Sequence, residues 1–80
     1  MADIKEDKCL DASGLSCPMP VVKAAKEMRG LVTGQVLKIV ATDRGSVADI
    51  PAWAEDTGNE MLQSTMDGDR YVFLVRKGAP

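Results

Sequence analysis

Turn-forming residues cut this sequence into short pieces, and that punctuation limits its fold more than any other feature. Ser13-Gly14, the prolines Pro18 and Pro20, Gly30, Gly58 and Asp67-Gly68 leave room only for short strands and helices of a few turns. "KCLDA" (Lys8 to Ala12) reads as a strand leading into the Ser13-Gly14 turn. A helical pattern starts at Pro18, where a missing N–H costs nothing and φ is already set. Val21, Val22, Ala25 and Met28 form its apolar stripe, Lys23, Lys26, Glu27 and Arg29 its outer face, and Gly30 its stop. "QVLKIVA" (Gln35 to Ala41) is rich in β-branched residues, and Val36, Leu37, Ile39 and Val40 imply burial on both faces.

The second helical segment, "SVADIPAWAEDTG", carries a conflict. Ser46 and Asp49 have capping-box spacing, which starts the helix at Ser46 and puts Pro51 inside it. Alternatively, Asp49 is the cap and the regular part begins near Ile50. Gly58 ends the helix. "EMLQSTM" and "RYVFLVRK" then form a hairpin around Asp67-Gly68. The order β-α-β-α-β-β over 80 residues implies one domain, residues 1–80. Its fold class is α/β. A right-handed βαβ unit and a terminal hairpin make a mixed four-stranded sheet, with both helices on one face as a two-layer sandwich.

Composition removes whole classes of function. The chain is 45% hydrophobic and 28% charged, with a net charge of −2. Ten basic residues are scattered along it, so no direct nucleic-acid partner is expected. No apolar run is long enough to span a membrane. "MADIKEDKCL" lacks the pattern of a signal peptide, which points to the cytoplasm and to free thiols in the two cysteines. There is no histidine, which rules out imidazole-based catalysis and leaves too few ligands for a protein-only zinc site.

Cys17 is the residue left with chemistry to do. If Pro18 is the first helical residue, Cys17 caps the helix and its sulfur faces the positive end of the dipole. That setting favours thiolate. A fall in pKa from 8.5 to about 7 would raise the thiolate share at pH 7 from roughly 3% to roughly 50%. Pro20 stiffens the first turn without breaking a bond, Gly14 supplies the preceding turn, and Ser16 is small enough to leave the sulfur approachable. The competing reading makes Cys17 a small buried hydrophobe. Cys9, inside a strand beside Leu10, is expected in the core. Trp53 is expected in the core with Ile50, Asp67 and Asp69 belong to hairpin chemistry, and "TDRGS" lacks phosphate-loop spacing.

"LDASGLSCPMPVV", "ATDRGSVADIPAWAEDTGNEML" and "YVFLVRK" together carry a resemblance that runs from about Leu10 to Lys77. The C-P-x-P signature, flanked by L-D-x-x-G-L and D-I-P-A-W, resembles the TusA/SirA family of small sulfur-carrier proteins. The resemblance implies the same two-layer fold and a role for Cys17 as acceptor of sulfane sulfur in persulfide form. No separate cofactor is implied beyond that covalent persulfide. The implied donors are cysteine desulfurases or rhodanese-type proteins. The implied acceptors serve tRNA 2-thiolation, molybdenum-cofactor supply or dissimilatory sulfur oxidation. The protein would act as a monomeric co-substrate in a relay more than as a turnover enzyme. Arg44 departs from the family's proline after the aspartate. Met19, Lys23 and Arg44 are the candidate partner contacts around the sulfur, with Pro18, Pro20 and Gly14 positioning it. A second functional reading, from another class, is a non-catalytic binding or regulatory module with an incidental thiol.

Overall fold

The computed structural model describes residues 5–79. The reading of the N-terminus as free of a signal peptide falls in part on residues 1–4, outside the described residues. Six elements follow in the expected order: β1 (Lys8–Ala12), α1 (Met19–Arg29), β2 (Val36–Ala41), α2 (Ser46–Asp56), β3 (Glu60–Asp67) and β4 (Arg70–Arg76). β1 and β2 pair in parallel, with α1 supplying the crossover that parallel neighbours need, and β4 pairs antiparallel with both β2 and β3. The sheet order is therefore β1-β2-β4-β3, with the apolar strands β2 and β4 in the middle.

Strand register decides which side chains form the core. Leu37, Ile39 and Ala41 on β2 stand opposite Val75, Phe73 and Tyr71 on β4, so all six point to one face. Both helices cover that face. Ala24 and Met28 of α1 and Ile50 and Ala54 of α2 join Leu37, Ile39, Phe73 and Val75 in one buried cluster. The α/β sandwich with two helices over a mixed four-stranded sheet is thus what the sequence implies. On the other face, Val36 and Leu74 are buried while Lys38, Val40 and Val72 are half-buried, so burial on both sides is reached at the start of β2 and in the Phe73–Val75 run of β4.

Local expectations change at Cys9, on α1 and at Asp49, and the two alternatives for α2 are resolved. Cys9 is exposed, not core: it pairs with Lys38, and Leu10 and Ala12, paired with Ile39 and Ala41, take the helix-covered side. Period-two alternation then sends Cys9 to the open face. On α1 the buried positions are Pro20, Ala24 and Met28, with Val21 half-buried, while Val22 is 51% exposed. The buried row therefore runs along the i, i+4 positions 20, 24 and 28, which face the sheet, and the helix begins one residue later than expected, at Met19, with Pro18 in the cap position. α2 begins at Ser46 with Pro51 inside it, the first of the two alternatives, so the Val47 carbonyl lacks its helical partner at Pro51. Asp49 caps nothing, because Gly45 holds the cap position and no side-chain cap bond is made.

The hairpin turns through Gly68 and Asp69, with Gly68 at φ +65°, the left-handed value that a two-residue turn needs at its first position. Beyond β4, Lys77 continues the pairing through Gln35, and the Gly78 N–H donates to Asn59 Oδ1 at 3.0 Å. Gly78 lies so close to the Gly58 carbonyl that a Cβ would be driven into it.

Candidate functional site

Cys17 lies at the end of the β1–α1 loop, and hydrogen bonds from that loop to the β2–α2 loop hold it there. Gly14, at φ +81°, donates its N–H to Thr42 Oγ1 at 2.8 Å. The Cys17 N–H donates to Asp43 Oδ2 at 3.2 Å. The peptide bond between Cys17 and Pro18 is cis. Pro20, fully buried, pins the first turn of α1 to the core.

The thiol itself is exposed and opens onto a cleft of about 410 Å³ between α1 and α2. Pro18 and Val21 form one wall; Asp49, Trp53 and Asp56 form the other. Trp53 is half-buried, packs against the core, and also borders a larger cavity of about 540 Å³ at the far end of the helices. Its expected core role therefore covers only one side of the ring.

The electrostatics run opposite to the helix-start expectation. Cys17 Sγ donates its proton to Asp49 Oδ2 at 2.9 Å. That hydrogen bond, then partial desolvation, then the negative charges of Asp49 and Asp43 push the thiol above its usual pKa. The helix start offers little to oppose them. Pro18 and Pro20 have no N–H, and the Met19 N–H is taken by the Ser16 carbonyl at 2.9 Å. Cys17 also stands one residue before the cap, further from the dipole than expected. This setting favours the protonated thiol over the thiolate.

Gly45 completes this packing. A Cβ there would lie 3.1 Å from Asp43 Oδ2, 3.7 Å from Asp49 Oδ2 and 3.8 Å from Cys17 Cβ. Met19, Lys23 and Arg44 are exposed, and none lines the cleft. The acidic pair Asp43 and Asp49, with Gly45 between them, is what reasoning from residue patterns missed. Asp49 carried a helix-cap pattern, and its true partner lies 32 positions away in the sequence. Among the described residues, no group of three or more His, Cys, Asp and Glu is placed to hold a metal ion. No helix among them is long and apolar enough to cross a membrane.

Comparison with known proteins bears on the family and the fold. The family model described as "Sulfurtransferase TusA" matches residues 8–77. A sulfur carrier protein TusA from Allochromatium vinosum is 47% identical over 77 residues, covering 96% of this chain and 99% of the relative. Another, from Pseudomonas putida, is 39% identical over 79 residues, covering 99% of each chain. The crystal structure of a SirA-like protein from Desulfitobacterium hafniense superimposes with a TM-score of 0.79 at 24% identity, over 90% of this chain and 99% of that one. That last likeness bears on the fold, and the sequence matches bear on descent. With the match spanning nearly every described element, the chain belongs to the TusA family of sulfur carriers.

Proposed function

We propose that Cys17 carries sulfane sulfur as a persulfide between a donor protein and an acceptor protein. The observation behind this reading is an exposed thiol at the mouth of the α1–α2 cleft, on the motif that marks the family. The Cys17 sulfur attacks the outer sulfur of a donor persulfide, the donor's S–S bond breaks, and the donor cysteine leaves and takes up a proton. One S–S bond is lost and one gained, so no oxidant is needed and no imidazole is required.

The donor is a cysteine desulfurase or a rhodanese-type protein. The acceptor belongs to a relay for tRNA 2-thiolation, molybdenum-cofactor supply or sulfur oxidation. The carrier acts as a cytoplasmic monomer and meets no nucleic acid itself. Met19, Lys23 and Arg44, exposed around the loop that bears the thiol, contact these partners. Intact-mass spectrometry after incubation with a desulfurase and cysteine tests the reading. A gain of about 32 Da, one sulfur, is expected in wild type and in Cys9→Ser, and is absent in Cys17→Ser. Cys9 is also exposed, so that pair of variants is essential. Uptake by no donor, or uptake on Cys9 alone, would return the chain to the class of binding modules with an incidental thiol.

A further inference from the structure

We propose that Asp49 is the positioning residue that makes this carrier ready to give its sulfur away. Its carboxylate accepts the proton of the empty Cys17 thiol and repels the anionic outer sulfur of the loaded one. The inference rests on the carrier reading above and assigns a task to a residue outside the C-P-x-P motif.

Asp49 Oδ2 is 2.9 Å from Sγ, at hydrogen-bonding distance to a sulfur that carries a proton. A persulfide adds a second sulfur about 2 Å beyond Sγ and, once ionised, has no proton to donate. The favourable contact of the empty state is then lost and two negative charges are brought together. Nothing in the cleft relieves this. Among the described residues, the charged side chains lining it are Asp49 and Asp56, both from α2, and none comes from α1. From the β2–α2 loop, Asp43 adds a third carboxylate, bonded to the Cys17 N–H at 3.2 Å. The outer sulfur is therefore turned away from α2, toward solvent and an incoming acceptor.

The exchange is donor–S–S⁻ + Cys17–SH → donor–SH + Cys17–S–S⁻. The donor's S–S bond breaks, a new one forms on Cys17, and the thiol proton of Cys17 passes to the donor cysteine. The outer sulfur keeps its charge, and there is no net oxidation. Asp49 stabilises the left side by its hydrogen bond and destabilises the right side by repulsion. It thus holds the loading equilibrium back and drives unloading forward. The raised pKa of the empty thiol has the same origin.

The test uses the full chain in a Cys9→Ser background and compares it with Asp49→Asn, which keeps the side-chain volume. Two readouts are taken: the pH profile of iodoacetamide alkylation, and the loaded fraction by intact mass at fixed ratios of glutathione persulfide to glutathione. Asp49→Asn is expected to lower the apparent pKa and raise the alkylation rate at pH 7 by about three- to tenfold. The ratio of loaded to empty carrier should rise several-fold, and Asp49→Glu should return toward the parent values. Asp43→Asn removes a like charge without touching the thiol proton and should shift both readouts less. Asp49→Ala repeats the measurement if the Asn variant folds poorly, as judged by circular dichroism. An unchanged or higher pKa in Asp49→Asn, or a loaded fraction that stays level or falls, overturns the proposal. Failure of the parent to load at any ratio overturns the carrier reading instead, and the pH profile then still reports whether Asp49 holds the thiol proton.

Discussion

The thiol of Cys17 and the carboxylate of Asp49 are hydrogen-bonded at 2.9 Å, across a cleft whose walls belong to different helices. This contact reverses the state expected of a cysteine next to a helix start, because a carboxylate acceptor favours the protonated sulfur.

Alkylation should reveal that state directly. At pH 7 an ordinary thiol near pKa 8.5 is about 3% thiolate, and Cys17, held above its usual value, should be less. Its rate with iodoacetamide should therefore be lower in the folded protein than in urea, and should climb only at alkaline pH. The linkage has the matching sign. A raised folded pKa favours the protonated form, so its contribution to stability is present below the unfolded value and lost as pH rises through the folded one. Peptide mapping of the Cys17 adduct against pH, with and without urea, checks both; faster reaction in the folded state at pH 7 would contradict them.

Gly45 offers a way to disturb the site without unfolding the protein. Its φ of −62° suits alanine, but the added Cβ would press on Asp43 Oδ2 at 3.1 Å. Gly45→Ala should change stability by less than about 1 kcal/mol in urea titration, while slowing sulfur loading of Cys17 a few-fold in a time course by mass spectrometry.

Gly78 gives the opposite outcome. The Gly58 carbonyl occupies the space a Cβ would need, so Gly78→Ala must displace backbone and break the bond to Asn59. A loss of about 1–3 kcal/mol is expected by urea unfolding, with sulfur loading of the folded fraction unaffected.

The core sets the scale for these changes. Phe73 is fully buried between the helices and the sheet, facing Ile39 across the strand pair. Phe73→Ala should cost about 3–5 kcal/mol, a large part of the stability of a domain this size. The urea midpoint measures it.

How far the sequence carried these conclusions depends on the range of the forces involved. Element order, the β3–β4 turn and the Cys17 junction were legible because glycine, proline and periodicity act over a few neighbours. The side on which Cys9 points was not. A five-residue strand holding a single large apolar side chain leaves its parity open until Leu10 meets Ile39. On α1, apolar residues at 21, 22, 24, 25 and 28 leave more than one possible face, and only packing on the sheet selects the Pro20, Ala24 and Met28 row and leaves Val22 in solvent. Asp49 is the instructive miss: its spacing from Ser46 fits a helix cap, and only the tertiary fold brings it to a sulfur in another loop. Residue patterns located the thiol and family resemblance gave it a role, whereas its hydrogen-bond partner needed the tertiary fold.

The most direct test of the carrier role is the mass of the protein after incubation with a cysteine desulfurase and cysteine. The expected result is one added sulfur, about 32 Da, removed by reductant, retained in Cys9→Ser and lost in Cys17→Ser. An unchanged mass with desulfurase and rhodanese donors alike, or a gain that survives Cys17→Ser, would contradict it.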